Sequence, residues 1–126
     1  MKFVLGKSPA VWWPVTLTMP DPENPGQTVK SVLKVLILPQ GQDDYLAEQE
    51  RIAEIKGARA HARAEREYLA SRISGWDWPD MLGDDQKPVQ FGPETVATAM
   101  QEAWFRQGLW RAIQEVSLGE AARLGN

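Results

Sequence analysis

The sequence contains no cysteine and a single histidine in 126 residues. Without cysteine the chain forms no disulfide bond, no thiolate zinc site and no cysteine nucleophile. The histidine, His61, lies in a charged stretch, so we expect a solvent-facing helix residue there rather than a catalytic base. Neither a G-x-G-x-x-G nor a G-x-x-x-x-G-K-[ST] phosphate-binding motif is present. The sequence therefore predicts no nucleophile–base site and no nucleotide cofactor.

A surplus of basic residues and long hydrophobic runs are also missing. Lys and Arg number 14 against 17 Asp and Glu, which gives a net charge of −3. Such a balance does not attract nucleic acid or an anionic membrane surface. The apolar run Val35–Leu38 is too short to span a membrane, and the N-terminus lacks the apolar region of a secretory signal. We therefore expect a soluble intracellular protein with no nucleic-acid or membrane partner.

The first third of the chain predicts two β-strands. Apolar residues recur at every second position over Val11–Met19, which places one face of a strand inward. Pro14 has no N–H to donate, so this strand is expected at a sheet edge. A proline-rich turn follows, and a second apolar strand runs over residues 28–38. Residues 11–38 thus predict a long-looped antiparallel hairpin, which is marginal in water unless it packs on helices or on another chain.

Residues 43–73 predict a helix or a pair of helices. Ala, Glu and Arg dominate this stretch, and all three are good helix formers. Its middle, Lys56–Glu67, has alanine as its only apolar residue type, which indicates either a solvated helix or a hinge between two shorter ones. Interleaved basic and acidic side chains favour an exposed helix with many salt bridges, or a helix–helix contact.

Residues 74–92 predict an irregular loop that carries Trp76 and Trp78 and is anchored on the core by its apolar side chains. The loop also contains four aspartates, which are Asp77, Asp80, Asp84 and Asp85. Carboxylates at this density are able to hold Ca²⁺ or Mg²⁺, but the alternating spacing of an EF-hand loop is absent. Aspartate beside glycine and proline is ordinary turn chemistry. The sequence favours a solvated turn, and we expect no metal, no cofactor and no enzymatic activity.

Residues 93–118 predict a C-terminal helix with Pro93 at its first position. At 100° per residue its apolar side chains form two opposite stripes, one with Val96 and Met100, the other with Phe105, Leu109 and Ile113. Either the helix bends at Gly108 and turns both stripes onto one core, or one stripe is exposed in the monomer and binds a partner. The candidate partner-binding residues are therefore Trp104, Phe105, Leu109, Trp110 and Ile113.

The hairpin supplies candidates for self-association, because an exposed strand edge is able to pair with another chain. These candidates are Trp12, Trp13, Val15 and Leu17. Residues 1–126 as a whole predict a single α+β domain, in which an N-terminal antiparallel β-hairpin precedes a mainly helical C-terminal part.

Several short segments follow one another in an informative order along residues 11–126. Trp13–Leu17 precedes the proline-rich turn, Ile73–Asp77 precedes an acidic glycine turn, and Pro88–Phe91 precedes Glu94 and a helix. That helix carries Trp104, Phe105 and Ala112, and the chain ends in Leu124-Gly125-Asn126. This order resembles the tail assembly chaperones of long-tailed, siphovirus-type bacteriophages.

The resemblance implies a non-enzymatic protein that binds the phage tape measure protein, keeps it soluble and helps tail tube subunits to assemble around it. It implies the tape measure and tail tube proteins as partners, self-association into a homo-oligomer, and a location in the host bacterial cytoplasm. The alternative hypothesis is a small structural component of the virion such as a head–tail connector, which would also be rich in tryptophan and lack a catalytic site. A gene between those of the tail tube and tape measure proteins would favour the chaperone.

Overall fold

The computed structural model describes Lys2, residues 4–6 and residues 8–119. Along the chain these residues form β1 (Val11–Pro20), β2 (Thr28–Ile37), α1 (Gln42–Ala53), α2 (Ala58–Ser71), β3 (Ile73–Asp77), α3 (Pro93–Met100) and α4 (Ala103–Leu118). The predicted α+β class is confirmed, because the sheet begins with an N-terminal hairpin and the helices lie mostly in the C-terminal part.

The three strands form one antiparallel sheet in the order β1-β2-β3. β1 and β2 are the predicted hairpin, and they pair over their whole length from Val11 opposite Ile37 to Pro20 opposite Thr28. β1 lies at one edge of the sheet, where Pro14 is tolerated because an edge strand has a row of backbone groups without a neighbouring strand.

The third strand corrects the prediction of an irregular loop from residue 74 onward. β3 pairs with β2 from Asp77 opposite Lys34 to Ile73 opposite Ile37, with a shift of register at Leu36/Ile37. Its sequence, Ile-Ser-Gly-Trp-Asp, contains serine and glycine and has no clear period of two. The segment is a strand because it supplies hydrogen bonds to the free edge of β2, which is a tertiary effect rather than a local preference.

The sheet has a buried inner face and an open outer face. Val15, Leu17, Leu33, Val35 and Ile37 of the inner face are fully buried, and they share one core with side chains from all four helices. Residues on the other side of β1 and β2 alternate with them and are mostly exposed. Among the described residues, the helices therefore form a second layer on the inner face only.

The predicted helix over residues 43–73 is a pair, α1 and α2, and the break lies at residues 54–57. Gly57 adopts a φ of 92°, a left-handed conformation that favours glycine. The alternative of two helices is thus confirmed, although the break comes at the start of the alanine-rich middle rather than within it. α2 runs through that middle and buries Ala64, Tyr68 and Leu69.

Of the two alternatives for residues 93–118, the structure has both stripes on one core, but through a break at residues 101–102 rather than a bend at Gly108. The amide groups of Gln101 and Glu102 donate to the carbonyls of Thr98 and Ala99, three residues back. The backbone of Glu102 is extended, with φ −91° and ψ 124°, and separates α3 from α4. Arg106 Nη1 donates to the carbonyl of Met100 at 2.6 Å and so satisfies the end of α3. Both apolar stripes consequently face the same core, one from α3 and one from α4.

Gly108 has a different role, at the crossing of α4 over β1. A Cβ atom at this position would lie 2.9 Å from the backbone oxygen of Thr16 and 2.7 Å from Leu17 Cδ2. Both distances are shorter than ordinary contacts, so the absence of a side chain is what allows the helix to approach the strand this closely.

Candidate functional site

Three of the candidate partner-binding residues belong to the core of the monomer. Phe105, Leu109 and Ile113 are each 0% exposed and lie among the largest fully buried side chains. The expectation that they form a free surface is therefore wrong. It rested on one straight helix, whereas the break after α3 turns this stripe inward.

Trp104 and Trp110 are half-buried. The Trp104 ring packs edge-on against Trp78 with ring centroids 6.4 Å apart. Trp110 packs against Tyr68 at 5.8 Å and lines a groove of about 510 Å³ between α1, α2 and α4. These two residues therefore remain accessible to a partner, but as parts of aromatic clusters and not as a common stripe.

The candidates for self-association lie on opposite faces of the sheet. Val15 and Leu17 point into the core, which corrects their assignment to a surface. Trp13 is partly buried, and its Nε1 donates to Glu115 Oε1 at 3.0 Å, which ties β1 to α4. Trp12 lies on the opposite side of the strand and is 54% exposed.

The loop that follows β3 is held on the core by Trp76, which lies within β3, and by Trp78 of the loop itself. Trp76 Nε1 donates to the carbonyl of Val89 at 2.9 Å, and the Trp76 ring packs edge-on against Trp78 and Phe91. The four aspartates are all exposed, and Asp85 Oδ1 accepts the amide of Lys87 at 3.0 Å in a turn. Over the residues that the structure describes, no group of three or more His, Asp or Glu side chains is placed to hold a metal ion.

A groove between α2 and α3, here called the α2–α3 groove, is lined mainly by apolar side chains. Its volume is about 620 Å³. The apolar side chains that line it are Ala70, Phe91, Pro93, Val96, Ala97 and Met100. Ala97 and Phe91 are exposed, whereas Val96 and Met100 form its buried floor. Residues more than twenty positions apart meet here, so the sequence pattern of a single helix carries no sign of the groove.

Arginine side chains border the α2–α3 groove. Arg63 and Arg66 line it, and Arg59 precedes them by one helical turn on the same side of α2. Within residues 8–119 the helices contain the Arg51–Glu48 ion pair and a contact of His61 Nε2 with Glu65 Oε1, with N–O distances of 2.9 and 2.8 Å. Arg63 and Arg66 have no carboxylate partner among the described residues, which corrects the expectation of an exposed helix with many salt bridges.

The outer sheet face, defined by Trp12, Val32, Leu36 and Gly75, is a second surface without cover. Trp12, Leu36 and Gly75 lie side by side on the three strands. The Trp12 ring reaches across this row, because its Cη2 lies 3.7 Å from the place of a Cβ on Gly75. Val32 is exposed in the neighbouring row.

Comparisons with protein-family models, with curated proteins and with solved structures found no match to this chain. None of the helices in the described residues has both the length and the apolar character needed to cross a membrane. The α2–α3 groove and the outer sheet face are therefore argued from their own chemistry. Exposed apolar surface with a polar rim is typical of a protein-binding site.

Proposed function

We propose that this protein is a non-enzymatic tail assembly chaperone of a long-tailed bacteriophage. In this function it binds the tape measure protein in the host cytoplasm, keeps it soluble and aids assembly of the tail tube around it. Two things support the proposal: the order of sequence segments over residues 11–126, and the α2–α3 groove. The groove is the observation that carries the binding function, because it leaves apolar side chains open to solvent.

The groove suits a helical partner. A tape measure protein is expected to be long and largely helical with apolar stripes, and such a stripe in water favours aggregation. An amphipathic helix lays its apolar face into a groove between two helices in a common mode of peptide recognition. Covering Phe91 and Ala97 in this way would remove apolar surface from water, at about 25 cal/mol for each Å² buried.

Self-association is the second part of the proposal, with another copy of this chain on the outer sheet face. Lys34 and Asp77 are register partners on that face, so a copy related by a twofold axis is able to place each beside the opposite charge of the other. Pro14 interrupts the donor row of β1, which disfavours pairing through the strand edge. The face rather than the edge is thus the expected contact.

Co-expression with a tape measure protein tests the chaperone function. We expect the native chain to keep the tape measure protein in the soluble fraction and Ala97→Glu to lose this effect, because the new carboxylate would be buried in the groove. Ala47→Glu is the matched control, since Ala47 is exposed on α1 and lies outside the groove.

Failure of the native protein to solubilise the tape measure protein would refute the chaperone function. Full activity of Ala97→Glu would instead exclude the α2–α3 groove as the binding site. Recovery of this protein from purified mature virions would favour the structural component, because the chaperones it resembles are typically absent from the finished particle.

A further inference from the structure

We propose that the α2–α3 groove selects helices whose apolar stripe is bordered by acidic residues. This inference rests on the proposed function to the extent that it concerns the same groove, and it adds the chemistry of the partner. It follows from the charges around the groove and not from its apolar floor.

The two arginines of the groove are available to a partner. Arg66 is half-buried and Arg63 is exposed, and neither has a carboxylate within 4 Å or a side-chain hydrogen bond among the described residues. Both guanidinium groups are open to an incoming carboxylate, which binds an arginine through two parallel hydrogen bonds. An incoming Asp or Glu therefore supplies what the monomer lacks.

The other helix-lined groove offers a contrast within the same molecule. Its charged lining consists of Glu65, His61 and Arg106. Glu65 is bonded to His61 at 2.8 Å, and Arg106 donates to the carbonyl of Met100 at 2.6 Å. These groups already have partners, so this second groove lacks the unpaired positive charge that borders the α2–α3 groove.

The α2–α3 groove is locally positive, although the chain as a whole is negative. The protein carries a net charge of −3, yet the charged side chains of the groove are two arginines and one glutamate, Glu67. A random acidic helix is repelled by the protein as a whole, whereas the groove attracts it at one place. The charge distribution therefore fixes where an acidic helix binds.

The spacing of the arginines sets a pattern for the partner. Arg59, Arg63 and Arg66 follow one another at four and three residues along α2, over a length of about 10 Å. A helix packed along α2 meets them with acidic residues at the same spacing of three and four. Its apolar stripe then faces Phe91, Ala97 and Met100.

Two synthetic peptides test this selection with the full chain. Both are helical, about 18 residues and so about 27 Å long, with the same stripe of Leu and Ala. One carries Glu along the border of the stripe and the other carries Lys, and fluorescence anisotropy reports the binding of each. We expect the Glu peptide to bind about tenfold more tightly, and the difference to shrink as salt screens the charges.

Charge reversal in the groove provides the decisive variant. The double change Arg63→Glu with Arg66→Glu should reverse the preference, so that the Lys peptide binds more tightly. Arg51→Glu with Arg111→Glu is the matched control, because both residues are exposed, lie outside the groove and alter the net charge equally. If the reversed variant does not fold by circular dichroism, Arg63→Gln with Arg66→Gln should abolish the preference instead.

Equal affinity for the two peptides, binding of neither, or a preference that survives charge reversal would overturn the inference. These outcomes are separable from those of the co-expression assay. A protein that solubilises the tape measure protein without distinguishing the peptides retains the proposed function and loses the inference. A protein that distinguishes the peptides but leaves the tape measure protein insoluble does the opposite.

Discussion

Gly108 shows how a single residue determines the packing of a helix on a sheet. Glycine within a helix usually costs about 1 kcal/mol relative to alanine, so its presence in α4 suggests a bend to a reader of the sequence. In the structure it lies over β1, where the backbone oxygen of Thr16 occupies the space of a side chain. The local cost of glycine is offset by the close contact that it permits between two elements.

Gly108→Ala should therefore destabilise the protein despite the higher helix propensity of alanine. The added methyl group meets a backbone atom that cannot rotate away, and overpacking outweighs the gain in propensity by about 1–2 kcal/mol. Urea unfolding followed by circular dichroism measures the difference. Gln107→Ala, at the adjacent exposed position, should change stability by less than about 0.5 kcal/mol. A stabilised Gly108→Ala protein would contradict the close approach.

Tyr68 is a second residue whose surroundings give a measurable property. Burial raises its pKa from 10.0 to about 12, and its hydroxyl donates to Gln40 Oε1 at 2.8 Å. The unfolded chain loses this proton near pH 10 while the folded protein keeps it until about pH 12. The folded state thus binds more protons across that window, so the stability contributed by Tyr68 is fully present below pH 10 and falls as the pH rises towards 12.

We expect the free energy of unfolding of the native protein to decrease above pH 10 more steeply than that of Tyr68→Phe. The phenylalanine variant lacks the hydrogen bond and starts lower by about 1 kcal/mol, but it has no phenol to titrate. Urea unfolding of both proteins from about pH 8 to about pH 11.5, a range that spans the pKa of a free tyrosine, measures how steeply each free energy of unfolding changes with pH. Parallel slopes would mean that Tyr68 titrates normally.

At the scale of elements, the short break between α3 and α4 decides which side chains are buried. A continuous helix would present two opposite apolar stripes, and one of them would lie in water. Two separate helices bring Val96 and Met100 of α3, and Phe105 and Leu109 of α4, into the same core. The C-terminal stripe is therefore part of the fold, which is why we propose the α2–α3 groove as the partner-binding surface.

Leu109→Asp should unfold the protein, because a charge at a fully buried position lacks any compensating partner and costs several kcal/mol. Leu118→Asp is the matched control on the same helix, since Leu118 is 45% exposed and its replacement should leave the thermal unfolding midpoint within a few degrees of native. Circular dichroism during heating distinguishes the two. A native-like Leu109→Asp protein would place this stripe outside the core.

At the scale of the whole molecule, the structure has two layers and one sheet face that no described element covers. The inner face is sealed by helices, whereas Trp12, Val32 and Leu36 remain on the outer side. An exposed tryptophan in a row of apolar residues is a common centre of a protein interface. We therefore propose the outer sheet face as the contact with a second copy of the chain, separate from the α2–α3 groove proposed for a helix.

Light scattering across a series of concentrations should give a mass above the 14.1 kDa of one chain. Trp12→Thr should restore the monomer mass by removing the largest apolar group of the outer sheet face. Leu46→Thr is the control, because it removes a comparably exposed apolar side chain from α1. A monomer at every concentration, or an oligomer that persists in Trp12→Thr, would contradict this assignment.

Local features of the fold could be predicted from the sequence because their causes are local. The alternation of apolar residues in Val11–Met19 specifies which side of β1 is buried, since successive side chains of a strand point to opposite faces. Pro14 assigns that strand to an edge, and Pro93 begins α3, because a residue without an N–H is tolerated at both places. The α+β class follows from this order of patterns.

Tertiary structure alone decided the features that depend on which surfaces meet. Ile73–Asp77 is a strand because β2 offers it a free edge, and Gly108 is needed because Thr16 lies beneath it. The candidate site moved from the stripe of α4 to the α2–α3 groove for the same reason. The periodicity of residues 93–118 reveals both apolar stripes, but it does not reveal that a break at residues 101–102 buries both of them. The α2–α3 groove combines residues from two helices and the loop before Pro93, and no pattern along the chain records how distant segments pack together.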